Sequence, residues 1–208
     1  MKSIGSKSLK TAIHKQLQKD KVVEMQARMI IEKQFKTAHA KLMSEFHNHP
    51  VTKELKSGPN SSNISGGLSF GNLFGFIGFN SKQNPIDAID RALSSAHILI
   101  KKRTIAASGI VWTYAVNIPS LQELYKLTPM PWARGMSWLQ EIEGLGIPNL
   151  GQYLYKESSA SRSTAGIQSG SKSGGRIKIP YIKPILKEFE KNINSISSGA
   201  RISKKYFK

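Results

Sequence analysis

Residues 8–46 contain neither proline nor glycine, and this run constrains the fold more than any other stretch. Leu9, Ile13 and Leu17 recur every four residues. Val23, Ala27, Ile30, Ile31, Phe35, Ala38, Leu42 and Phe46 continue at helical spacing, with Lys and Arg on the other face. The spacing predicts one long amphipathic helix, broken or bent near Asp20 and Lys21, where the apolar stripe changes phase. A helix of this length either packs on a neighbouring subunit or bends back on its own core. His47-Asn48-His49-Pro50 ends it, because the residue before a proline avoids the α region.

Composition narrows the classes of function. The 208-residue chain carries a formal charge of +18, and its pI near 10 favours an anionic partner: nucleic acid, a membrane surface or an acidic protein face. A hydrophobic fraction of 39% predicts a modest core with extended arms. There is no cysteine, which removes disulfides, thiolate zinc sites, iron–sulfur clusters and cysteine nucleophiles. No apolar run is long enough to span a bilayer, and the first fifteen residues lack an apolar signal core. The expectation is a soluble, non-secreted chain without membrane contact.

The fold class read from the pattern is α+β. A small antiparallel sheet is packed by helices, with a long N-terminal helix and an extended flexible loop. Residues 1–50 form the basic helix or arm, 51–198 the α+β core containing the loop 156–176, and 199–208 a basic tail. Within the core, residues 58–67 read as a polar loop. Residues 68–70 and 73–79 then read as strands flanking a Gly71-Asn72 hairpin turn, their aromatics spaced two apart as a core face. Asn84 suits an N-cap and Pro85 the first turn of a helix whose buried stripe is Ile86, Ile89, Leu93 and Ala96. Residues 97–106 and 110–118 read as paired strands. The first bears Lys101, Lys102 and Arg103 in succession, which suits an edge or a ribbon exposed to an anionic partner. Ser120 with Glu123 is a capping-box signature for a short helix. A second short helix is expected over 134–143, closed by Gly144 and Gly146, with a strand or turn over 149–155. Ile177 and Ile179 return to the sheet, and residues 180–196 form a closing amphipathic helix.

The segment 129–155 holds Trp132, Trp138 and the carboxylates Glu141 and Glu143. On a helix the two carboxylates point to different sides. They read as partners for basic neighbours, the tryptophans as packing anchors, and the whole segment as the junction from which the loop 156–176 projects toward another subunit. Nucleophilic catalysis needs a base oriented by a third group. The histidines fall mostly in the first fifty residues, and no serine sits in a Gly-x-Ser-x-Gly elbow. His39, Glu45, His47 and His49 are not followed by a second ligand cluster, so they read as groups at a helix end rather than a metal site. The expectation is a protein that is not an enzyme and has no metal or cofactor. Its interface candidates are Lys101, Lys102, Arg103, Trp132, Trp138, Arg162, Arg176, Tyr206 and Phe207. Basic residues interleaved with aromatics, as over 101–112 and 204–207, fit backbone contacts and stacking on nucleic acid. No zinc finger, helix-turn-helix or RNP pattern accompanies them.

The order of parts resembles that of neck, head–tail joining and tail-completion proteins of tailed bacteriophages. The pieces that carry the resemblance are Phe46-His-Asn-His-Pro-Val-Thr-Lys-Glu-Leu55, Asn72-Leu-Phe-Gly-Phe-Ile-Gly-Phe79, residues 138–143, Arg162-Ser163 with Gly166-Ile167-Gln168, and residues 181–193. The resemblance in the order of parts covers roughly two-thirds of the chain in outline. The long basic N-terminal helix and the tail go beyond the compact family pattern. The resemblance implies a non-enzymatic virion subunit, assembled in the host cytoplasm into a six-fold or twelve-fold homo-oligomeric ring. Such a ring joins head to tail, lines or seals the DNA channel, and meets neighbouring connector or tail proteins and packaged DNA. The alternative is a non-specific nucleic-acid-binding protein with no ring role.

Overall fold

The computed structural model describes residues 9, 11–13, 16–17, 20–68, 71–106, 109–145, 153–154, 167–168, 178–195 and 200–202. The fold is mixed helix and strand. Its contacts divide the chain into two discontinuous units, and the division follows the tertiary pairing rather than the linear arm, core and tail. One unit comprises residues 1–41, 96–118 and 189–208; the other comprises 42–95 and 119–188.

The first unit is built on helix α1, Lys21–Asn48, of which residues 21–41 belong here. The break expected near Asp20 is present. Asp20 is not helical, and its Oδ1 accepts from Val22 N at 2.8 Å, which satisfies a donor that a continuous helix would have bonded internally. Phe35 and Ala38 are buried, and Phe35 meets Phe189 edge-on at 6.3 Å. Val23, Ala27 and Ile31 pack with Ile98 around buried Tyr114. Ile30, read as part of the same stripe, is exposed instead. It lies one residue, or about 100° of helical turn, from Ile31.

Strands β1, His97–Ala106, and β2, Gly109–Asn117, form the antiparallel ribbon that the sequence indicated, in register from His97↔Asn117 to Ala106↔Gly109. A bulge falls between Ile100 and Lys102, leaving Lys101 without a register partner. A short strand at Ala200–Ile202 adds to β2 in parallel, so β1 stays at the edge of the three-stranded sheet.

The second unit begins with the last seven residues of α1, about two turns. Helix α2, Pro50–Ser57, restarts immediately after it. Pro50 sits in the first turn, and His49 is extended (φ −62°, ψ 136°) with its ring accepting from Val51 N. The chain bends here and resumes its helix, because His49 supplies the cap that Pro50 makes necessary.

Residues 73–79 are not the expected strand. Leu73–Ile77 is a short helix, α3, capped by Asn72, whose Oδ1 accepts from Gly75 N at 2.8 Å. Gly78 closes it at φ 90°. Leu73, Phe74, Phe76, Ile77 and Phe79 are buried, so the reading as core holds while the strand does not. A five-residue apolar run fits either period, and the Asn72 cap decides it.

Helix α4, Asp87–Ser94, buries Ile89 and Leu93. It starts later than expected. Asn84 Oδ1 accepts from Ile86 N at 3.2 Å and its amide donates to Asp87 at 2.6 Å, forming a turn ahead of the helix. Helix α5, Leu121–Lys126, carries the full capping box of Ser120 and Glu123. Beyond it, residues 134–143 are not one helix. Pro129–Met130 (β3) pairs with Ala133–Ser137 (β4), and the chain becomes helical only at α6, Trp138–Gln140, followed by a π-type turn over Glu141–Leu145. Gly135 at φ 76° takes a backbone conformation that strains an L side chain, and Ser137 caps α6 through Gln140 N.

Tyr153–Leu154 (β5) pairs with Ile167–Gln168 (β6). Of the loop read over 156–176, only Ile167 and Gln168 fall among the described residues. Ile177 lies outside them. Ile179 does not return to the sheet; its amide donates to Ile142 O at 3.0 Å. Helix α7, Ile182–Ser195, closes the described chain before Ala200–Ile202, which is β7.

Candidate functional site

Several polar side chains of the second unit hold backbone in place. Glu54 is fully buried on α2, and its carboxylate accepts from Ser65 N at 2.7 Å and Leu73 N at 2.6 Å. It thereby ties the polar loop to the first turn of α3, where helix donors lack internal partners. Asn72 reaches back from that turn and donates to the carbonyls of Pro59 and Ser61.

Glu143 does the same for α7. Its Oε1 accepts from Tyr181 N at 3.1 Å and Lys183 N at 2.7 Å, so it meets backbone at a helix N-terminus, and the Lys183 charge acts on it as the basic neighbour the sequence reading expected. Burial raises the Glu143 pKa, and the backbone donors at Lys183, Tyr181 and Ile182 oppose that rise.

Thr52 and Tyr181 share a buried hydroxyl–hydroxyl bond of 2.6 Å, and burial pushes the Tyr181 phenol up. The His49 ring lies 4.8 Å from the Tyr181 ring. Its Nδ1 accepts from Val51 N, and it also bonds the backbone of Pro180, which has only a carbonyl to offer. Those two partners fix a neutral ring with its proton on Nε2. Burial lowers its pKa. His47 Nε2 lies 3.0 Å from Asp90 Oδ2. The histidines around residue 48 therefore serve a helix junction. Among the described residues no group of three or more His, Cys, Asp or Glu could hold a metal.

The first unit presents a different chemistry. Among the described residues, ten basic and four acidic ones lie in it. Lys101, Lys102 and Arg103 fall together on the edge strand β1, with the bulge at Lys101. The side chains of these three lie outside what the structure describes.

On α1, Val22, Met25 and Met29 are 60%, 53% and 56% exposed. They recur at intervals of three and four residues, on the side away from Val23, Ala27 and Ile31. The same face continues into an open groove of about 690 Å³ lined by Met29, Glu32, Lys33, Lys36, Thr37 and Ala40. The helix is apolar on two faces, of which one packs inside the unit and the other meets solvent.

The remaining interface candidates separate. Trp132 is 46% exposed with its indole N–H donating to Ile77 O at 2.7 Å, so the ring is held while presenting a face to solvent. Trp138 is 1% exposed and packs edge-on against Phe79 at 6.0 Å. It is a core residue and is withdrawn as an interface residue. Arg162, Arg176, Tyr206 and Phe207 lie outside the described residues. The sequence reading did not identify the exposed face of α1, although Val22, Met25 and Met29 show it as a second stripe once two faces are scored separately. No sequence signal marks Glu54, which sits among lysines in an ordinary helical pattern.

No helix among the described residues is long and apolar enough to cross a membrane. Comparison with protein-family models, with curated proteins and with solved structures finds no match to this chain.

Proposed function

We propose that this chain is a non-enzymatic structural subunit of a bacteriophage virion, forming a homo-oligomeric ring in the neck or tail-completion region that joins head to tail. The observation that carries the reading is helix α1. Its inner face is packed, and its outer face leaves Val22, Met25 and Met29 in water. A long helix with an uncovered apolar stripe is stabilised by a neighbouring protein of the particle. Buried Glu54 and Thr52 and half-buried Glu143 and His49 have structural work: each holds a backbone group or another buried side chain. The ring would sit at the DNA channel, assembled in the host cytoplasm and retained in the virion.

The test is whether the protein co-purifies with virions of its source, together with electron microscopy of those particles. A ring at the head–tail junction is the expected result. Absence from purified virions overturns the proposal.

The basic excess of the whole chain, a formal +18, favours a second reading, a non-specific nucleic-acid-binding protein without a ring role. That reading predicts duplex binding whose log affinity falls linearly with log salt, at about 0.9 per neutralised phosphate. Replacing Lys101, Lys102 and Arg103 with alanine would reduce that slope by up to about 3. An unchanged slope removes β1 from the contact.

A further inference from the structure

We infer that the outer face of α1 from Val22 to Ala40 is a docking groove for an acidic amphipathic helix of a different protein. The inference rests on the reading of this chain as an assembly subunit and names the chemistry of the neighbour.

Two observations select that occupant. The face changes character along its length. Val22, Met25 and Met29 form its apolar half, and the groove that continues from Met29 carries Lys33 and Lys36 beside Glu32, with small Thr37 and Ala40 also lining it. Unbranched, polarizable Met side chains adapt to varied apolar shapes, and small residues let a second helix approach closely. A helix with apolar residues at i, i+3 (or i+4) and i+7 would match the first half, and carboxylates on its flanks would match the second.

The second observation is charge. Among its described residues, the unit that bears the groove has ten basic and four acidic ones. Two copies meeting through this face would bring two such fields together, and like-charge juxtaposition opposes the pairing at close range. An acidic partner gains from the same field. Nucleic acid would answer the charge but leave the methionines in water.

The experiment uses the full chain and a synthetic helical peptide with leucines at i, i+3, i+4 and i+7 and glutamates elsewhere. Its control is a scrambled peptide of identical composition. Fluorescence anisotropy should show saturable binding of the patterned peptide, weakened by added salt. Met25→Glu with Met29→Glu should weaken it by about tenfold or more, because both side chains are exposed in the free protein and buried in the complex. Circular dichroism of that double variant checks that the fold is intact. Lys33→Gln with Lys36→Gln, on the same face, gives a second arm and should lower affinity and flatten the salt dependence.

Equal binding of the scrambled peptide would overturn the inference, since charge alone would then explain it. So would sedimentation equilibrium showing self-association that Met25→Glu and Met29→Glu abolish, which would make a second copy the occupant. Binding only to vesicles of anionic lipid, with neither peptide bound, would assign the face to a membrane surface and overturn it as well. Each of these outcomes leaves the co-purification test of the proposed function standing on its own.

Discussion

Replacing Glu54 with alanine should destabilise the second unit more than any surface change. The wild-type carboxylate is fully buried and accepts from Ser65 N and Leu73 N at 2.7 and 2.6 Å. Hydrogen bonds to a charged group contribute about 1.5–3 kcal/mol each, and a buried donor left unpaired costs about 1–3 kcal/mol. With two donors orphaned and a cavity opened, the expected loss is about 3–6 kcal/mol, a large share of the roughly 5–15 kcal/mol that holds a domain folded. At about 2–4 °C per kcal/mol, Tm should fall by at least about 6 °C.

Glu54→Gln separates the mechanisms. It keeps the volume and one acceptor oxygen but sets an amide NH2 against the second backbone donor, so it should lose about half as much. The assay is urea denaturation followed by tryptophan fluorescence, since Trp138 is buried in the same unit. A Glu54→Ala loss below about 1 kcal/mol, or Gln as damaging as Ala, would refute the reasoning that the carboxylate acts by holding both amides.

Three further predictions follow from other buried groups. Thr52→Val and Tyr181→Phe each strand one partner of the 2.6 Å bond and should cost about 1–3 kcal/mol; the double variant should cost clearly less than the two singles combined, as a double-mutant cycle by chemical denaturation would reveal. His49 is held neutral in the fold with a lowered pKa, so the unfolded chain binds more protons as pH drops. Stability should therefore be full above about pH 6.5 and decline as pH falls through the lowered folded value, and this part of the Tm–pH slope should vanish in His49→Asn, whose amide oxygen can still cap Val51 N. Tyr114 is buried with its hydroxyl unpartnered among the described residues, so Tyr114→Phe should be neutral or stabilising by up to about 1 kcal/mol in thermal melts, whereas a loss above about 1 kcal/mol would mean that the hydroxyl is bonded.

The elements legible in the sequence were those with a local cause. Asp20, Ser120 with Glu123, and the 97–117 ribbon act through neighbours a few residues away, and the structure places them where the pattern does. The failures share another cause. Residues 73–77 and 133–137 are short, and their period is ambiguous; what selects helix in one and strand in the other is a cap at Asn72 and pairing of β4 with β3. Trp138 could be anchor or interface by type alone, and only its burial against Phe79 separates the two.

The candidate surface was legible in part. The excess of positive charge is a property of the sequence, but the grouping of Lys101, Lys102 and Arg103 in one unit with α1 depends on tertiary contacts. By itself the sequence determined a mixed fold with a long opening helix, a two-stranded ribbon and a large positive formal charge. Each follows from propensity, period and formal charge, which need no distant partner. Only the tertiary structure decided that Glu54, Thr52 and Glu143 are the polar ties of the second unit and that α1 keeps one apolar face uncovered. Those facts depend on donors and surfaces brought together across up to 129 positions of the chain, as in Thr52 and Tyr181. Burial and hydrogen-bond satisfaction are set by that assembly, not by local sequence.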